Sequence, residues 1–158
     1  MKSVLLSVRP RFARSLMTGT KTAEVRRRFP NLEPGTELFI YSSSPDRAVI
    51  GTLILNGINQ LNIADVWATF GKQIEIESTE LAAYLEGSIK ASILGVRNPD
   101  LWDVPVSLGD IREKVGLEPA QSWRYLDANQ GKALRELGAK RTSAGPAFAP
   151  SLEPALAF

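Results

Sequence analysis

Gly19-Thr20-Lys21-Thr22-Ala23-Glu24-Val25-Arg26-Arg27-Arg28-Phe29-Pro30 sets a glycine-led turn ahead of an extended run that carries one acid among four bases. A strand over Thr22–Phe29 alternates its side chains, so Glu24, Arg26 and Arg28 share one face. Ala23, Val25 and Phe29 share the other and can meet a core, with Arg27 the exception. Gly19 permits a turn that swings Lys21 towards Glu24. An acid beside several bases on one sheet face is an anion-reading surface. The same charges on an edge strand equally serve to block edge-to-edge pairing.

Working outward, Val4–Val8 is apolar except for Ser7 and predicts a short buried strand. Pro10 suits the first turn of a helix, with Phe12, Ala13, Leu16 and Met17 as its apolar stripe and Gly19 as its stop. Beyond the basic stretch, strands are predicted over Thr36–Tyr41 and Ala48–Leu55, with a continuation over Ile58–Ile63 past Gly57. Gly51 marks a bulge or a close backbone approach. Ala64–Phe70 reads as a short helix, and Ser78–Glu86 as a helix capped by Ser78. Ser88–Val96 reads as a strand, ended by a turn at Asn98-Pro99-Asp100. Ser107 is a cap for a following helix, and Ala120–Ala128 is predicted to be helical, presenting Trp123, Arg124 and Tyr125. Trp67 and Trp102 are assigned to the core. Strands dominate the first half, which predicts an α+β fold: a small curled, barrel-like sheet with peripheral helices. One domain over 1–128 is expected. Residues 129–158 hold a weak helix at Gly131–Leu137, ended by Gly138, and, from Ala139 onward, an Ala-, Pro- and Ser-rich tail expected to be disordered.

The chain contains no cysteine and no histidine. That excludes a disulfide framework, a thiolate nucleophile and every histidine-based triad. A catalytic base must then be a carboxylate, a lysine or a tyrosine. No cofactor and no metal are expected. No apolar run is long enough for a membrane-spanning helix, and the first residues lack the apolar core of a signal peptide, so a cytoplasmic location is expected. The formal charge of +2 conceals an asymmetry. Residues 1–30 carry eight Lys and Arg against Glu24 alone, a local charge of +7, and the remainder carries −5. Basic charge gathered at one end of a compact chain suits a phosphate-bearing partner.

Several segments now combine: Leu6-Ser7-Val8-Arg9-Pro10, Gly19-x-Lys21-x-x-Glu24-x-Arg26-Arg27, Phe39-Ile40-Tyr41-Ser42-Ser43-Ser44-Pro45, Ile50-Gly51 and Pro119-Ala120-Gln121-Ser122-Trp123-Arg124-Tyr125. In this order they resemble the ASCH domain, a branch of the PUA-like superfamily, over residues 3–127. The resemblance implies a small β-barrel with a helix between its first two strands. It also implies a cleft beside that helix for RNA or a modified nucleobase, with Lys21, Glu24 and Arg26 matching the cleft motif. A related branch removes the acetyl group from acetylated cytidine with a lysine, a threonine and a glutamate. Here Lys21 matches the lysine, and Glu80 within Thr79-Glu80-Leu81 matches the glutamate. The position of the nucleophilic threonine is held by Glu24, and Thr22 has the opposite strand parity.

Each residue carries a structural reading beside its chemical one. Lys21 is either a cation that holds a phosphate or carbonyl, or a base with a lowered pKa. Glu24 either accepts a hydrogen bond from an exocyclic amine or fixes the Arg26 guanidinium. Glu80 in the first turn of a helix favours the macrodipole by about 0.3–1 kcal/mol with no catalytic role. Arg26 and Arg28 are expected to contact phosphates, with Arg9 and Arg11 at the mouth. Tyr41 and Trp123 are stacking candidates that also suit a core, Ser43 lies in a serine run that can line a cleft, and Arg124 adjoins Trp123.

Two functions follow. The first is a nucleic-acid-binding domain that takes single-stranded RNA or a modified nucleotide into a basic cleft around Lys21, Glu24 and Arg26. The second is a metal-independent hydrolase, an acetylcytidine amidohydrolase or a ribonuclease, using Lys21, Glu24 and Glu80. A third, weaker option is protein binding through Trp123-Arg124-Tyr125. No membrane partner is expected, and a monomer is preferred.

Overall fold

The computed structural model describes residues 2–143. Its backbone is a mixed α+β fold with one six-stranded sheet. Strand β1 (Ser3–Val8) leads through Arg9 into helix α1 (Pro10–Thr18), which opens with proline and closes on Gly19 at φ 84°. Then come β2 (Ala23–Arg26), β3 (Glu37–Ser42) and a long β4 (Ala48–Asn62). Helices α2 (Ile63–Ile74) and α3 (Ser78–Tyr84) precede the long β5 (Lys90–Ser107). A short α4 (Leu108–Asp110) passes into a π turn at Ile111–Val115, followed by β6 (Trp123–Leu126) and α5 (Ala128–Ser143). The sheet order is β2-β5-β4-β3-β1-β6, with β1 and β3 parallel and the other pairs antiparallel.

Both faces of the sheet are covered, which explains why β1 and β3 are apolar in nearly every position. Val4, Leu6 and Val8 of β1 face inward onto Ala13, Leu16 and Met17 of α1. Leu5, Phe39, Tyr41 and Val49 face outward under the π turn and α5, which contributes Leu134. At the other end of the outer face, Ala23, Val25 and Ile93 meet Val66 and Ile74 of α2 and Leu81 and Leu85 of α3. The sheet thus curls around α1 while two helical layers brace its back.

The structure corrects several sequence expectations. The basic strand ends at Arg26. The helix expected over Ala120–Ala128 does not form before Ala128: Trp123–Leu126 is β6, because the free edge of β1 offers a partner to a run of β-prone aromatics. Asn98-Pro99-Asp100 does not end its strand. Asn98 at φ 54° forms an irregularity within β5, where β2 no longer pairs and the missing N–H of Pro99 costs no bond on that side. Glu77, not Ser78, is the cap residue of α3, and no side chain caps it. Trp67 is 49% exposed rather than core, its Nε1 donating to the Ile76 carbonyl oxygen, whereas Trp102 is buried. The expected weak helix is part of the longer α5, and Gly138 lies inside it because a side chain there would meet the Trp102 ring at 2.9 Å. The tail expected to be disordered starts at Ala139, but residues 139–143 continue α5; from residue 144 it lies outside the described residues. Among the described residues no helix is long and apolar enough to cross a membrane.

Candidate nucleic-acid interface

The charges on β2 are not solvated. Glu24 pairs with Leu94 of β5 in register, so its side chain projects to the inner face beside the core. Lys21 is fully buried, and Glu24 and Arg26 are nearly so. The Glu24 carboxylate sits between two cations, with Lys21 Nζ 3.3 Å from Oε1 and Arg26 Nη2 2.9 Å from Oε2. Lys21 also donates to the carbonyl oxygen of Ile74, at the C-terminal end of α2 where the helix dipole favours a cation, and lies 4.9 Å from the centre of the Phe12 ring. Burial lowers the Lys21 pKa below its ordinary value, against the opposing pull of Glu24 and with a smaller push from Arg26.

Arg26 reaches across the open seam of the sheet. Its Nη2 donates to the Ser7 carbonyl oxygen at 2.7 Å, and its Nη1 lies 3.2 Å from Ser122 Oγ and 3.4 Å from the Ser122 carbonyl oxygen. Ser7 Oγ in turn donates to the Ala120 carbonyl oxygen at 2.7 Å, and the Ser7 N–H to the Ser122 carbonyl oxygen at 2.9 Å. Arg26 Nε is buried without a protein partner, a donor that a water or an incoming acceptor would satisfy.

Above this network lies a cleft of about 1020 Å³. Glu24 and Arg26 stand in its wall with Ser7, Gln121 and Ser122, while Arg9, Arg27 and Arg28 supply positive charge. Phe12 and Tyr84 line it as aromatics, and Arg27 stacks 5.3 Å from the centre of the Tyr84 ring. Glu80 faces the cleft from α3 and is ion-paired with Arg11 of α1. Ser43 completes the rim, its N–H donating to the Val8 carbonyl oxygen at 2.9 Å.

Of the sequence candidates, Arg9, Glu24, Arg26, Arg28, Ser43 and Glu80 therefore share one cleft. Lys21 joins them through Glu24 but is sealed behind it and does not line the opening. Three candidates lie elsewhere. Tyr41 packs into the outer-face core, where burial raises its phenol pKa. Trp123 packs edge-on against Phe29 and Tyr125. Arg124 faces outward opposite Leu5 and donates to the Glu118 carbonyl oxygen at 3.0 Å. Sequence reasoning overlooked Ser7, Ser122 and Tyr84 as site residues. Ser7 carried a signal as the lone polar residue in an apolar strand; Tyr84 and Ser122 carried none beyond their neighbours.

The family model of the ASCH domain matches residues 6–99, more than half of the chain. The chain belongs to the ASCH domain family. The matched span includes the Lys21, Glu24 and Arg26 cluster and stops before β6 and Ser122. An ASCH domain-containing ribonuclease from Zymomonas mobilis is 28% identical over 137 residues, covering 86% of this chain and 92% of its own. The crystal structure of ASCH from Zymomonas mobilis aligns with this ASCH domain at a TM-score of 0.81 and 28% identity, over 86% of this chain and 95% of that one. The human THYN1 protein, solved in complex with 5-methylcytosine-containing DNA, shares the fold at a TM-score of 0.57 and 11% identity, over 87% of this chain and 98% of that one.

Proposed function

We propose that this ASCH domain binds nucleic acid, taking a nucleotide of single-stranded RNA, or a modified base, into the cleft between α1, α3 and the seam of the sheet. The observation that carries the reading is the Glu24 carboxylate, held between the Lys21 and Arg26 side chains in the wall of a cleft that Arg9, Arg27 and Arg28 also line. A carboxylate has more acceptor sites than these two cations occupy, so it can also accept from an exocyclic amine of a base. Arg9, Arg27 and Arg28 suit the phosphates, and Tyr84 offers a ring for stacking. Lys21 acts from behind, holding the Glu24 carboxylate in place. The Arg26 clasp to Ser7 and Ser122 also supports a barrel-like closure of the sheet, made by a side chain where backbone pairing stops.

Cleavage of RNA is the second reading, and the Zymomonas mobilis ribonuclease supports it. In that reaction Glu80 would take the proton of a ribose 2′-hydroxyl as its oxygen attacks phosphorus; the bond from phosphorus to the 5′-oxygen breaks, leaving a 2′,3′-cyclic phosphate on one fragment and a 5′-hydroxyl, protonated from water, on the other, with the arginines holding the phosphoryl oxygens. Deacetylation of acetylcytidine draws less support, since Lys21 is sealed and the nucleophile position is Glu24.

Titration with labelled single-stranded RNA across a salt series tests the binding reading. Affinity is expected to fall steeply with salt, and Glu24→Gln to erase any preference for cytosine over uracil. Absence of binding at low salt overturns the proposal. Recovery of shortened RNA, lost in Glu80→Ala with binding retained, would move the conclusion to the ribonuclease.

A further inference from the structure

Cross-strand partners in an antiparallel pair put their side chains on the same face. Arg26 of β2 stands opposite Ser92 of β5, and Ser92 stands opposite Gln60 of β4. A polar row therefore leaves the cleft wall and crosses three strands. Lys90 lies two residues from Ser92, on the same face and about 6.6–6.8 Å further along the strand. Beyond the end of β2, Arg28 closes the other side. These residues enclose a second hollow of about 200 Å³, which shares Arg27 and Arg28 with the main cleft. No acid lines it. Among the described residues neither Arg28 nor Lys90 makes an ion pair. Such a hollow selects an anion, and its shared wall places that anion one step from whatever fills the cleft.

We propose that Arg28, Lys90, Ser92 and Gln60 form a phosphate subsite that holds the phosphodiester adjoining the nucleotide in the cleft. The inference rests on the nucleic-acid reading and deepens it: the preferred ligand is a strand of several nucleotides running over Arg28, rather than a free nucleoside. Arg28 is the shared pivot, Lys90 supplies the second charge, and the Ser92 hydroxyl and Gln60 amide supply neutral hydrogen bonds to phosphoryl oxygens.

The test uses the full chain and two exposed-site variants, Lys90→Ala and Lys90→Glu, against an unmodified mononucleotide and a single-stranded tetranucleotide. The tetranucleotide should bind Lys90→Ala about fivefold more weakly at low salt, with the log–log salt slope shallower by about 0.7, the share of one phosphate contact on a single strand. Lys90→Glu should lose more, and mononucleotide binding should stay unchanged in both. If both variants hold the tetranucleotide as the parent does, or lose the mononucleotide equally, the subsite is overturned while the cleft stands. If the parent chain binds neither ligand, the cleft reading fails and the subsite falls with it.

Discussion

Arg26 Nη2 donates a 2.7 Å hydrogen bond to the Ser7 carbonyl oxygen, although β2 and β1 stand four strands apart in the order of the sheet. Arg26 thus ties one edge of the curled sheet to the other side of its seam, and the same guanidinium orients Glu24. One side chain couples the approach of these two strands to the geometry of the cleft.

Removing that clasp should be costly. Arg26→Ala is expected to lower stability by about 3–5 kcal/mol, because it leaves Glu24 and the Ser7 carbonyl short of a buried partner. Arg26→Lys should recover only part of this, since an ammonium lacks the planar fork that reaches Glu24, Ser7 and Ser122 together. Urea unfolding measures both, and an unchanged midpoint for Arg26→Ala would show that the seam holds without it.

Glu24→Gln leaves Lys21 and Arg26 as two buried cations with no anion between them. The variant is expected to be destabilised at neutral pH by about 3–5 kcal/mol. Loss of the carboxylate also removes the main influence that raises the Lys21 pKa, so that pKa should fall further. The defect should therefore shrink on going to alkaline pH, where Lys21 becomes neutral. Unfolding curves at several pH values report it, and a defect independent of pH would contradict the coupling.

Lys21 also predicts a pH trend in the parent chain. Its native pKa lies below the ordinary 10.5, so between the two values the unfolded chain binds more protons than the native one. Stability relative to Lys21→Met should then rise with pH across that window, as the cost of burying the ammonium is relieved. Below the native pKa the difference should be constant. Paired denaturation curves from neutral pH to about pH 10.5 measure it; a difference that falls with pH would reverse the sign argued here.

Gly51 of β4 packs closely against β5 and α1. An added Cβ would lie 2.3 Å from the Asp100 carbonyl oxygen and 2.8 Å from Met17 Cε. The methionine can move, but the carbonyl belongs to a paired strand. Gly51→Ala should cost about 1–3 kcal/mol by overpacking, with the cleft chemistry intact. Thermal unfolding beside an RNA titration separates the two effects.

Much of the local architecture was legible from residues a few positions apart. Pro10 and Gly19 bound α1, Val4–Val8 announces a buried strand, and Ser107 caps the next turn by accepting from the Asp110 N–H. The parity of Glu24, Arg26 and Arg28 was equally readable, because alternation is a property of the backbone itself. What misled was any element whose conformation depends on a distant partner. Trp123–Leu126 becomes a strand only because β1 presents a free edge more than a hundred residues earlier in the chain. Asn98 and Pro99 stay within a strand only because β2 has already ended.

For the cleft, the chain alone determined its chemical inventory: bases gathered near the start, an acid among them, and neither histidine nor cysteine to compete. Only the tertiary structure decided access. It buried Lys21 behind Glu24, bound Arg26 to Ser7 and Ser122, and turned Tyr41 and Arg124 to the opposite face. The reason is physical. Charge and parity are set by covalent connectivity, whereas burial depends on which surfaces the curled sheet brings together, and that pairing is nowhere written in a single stretch of residues.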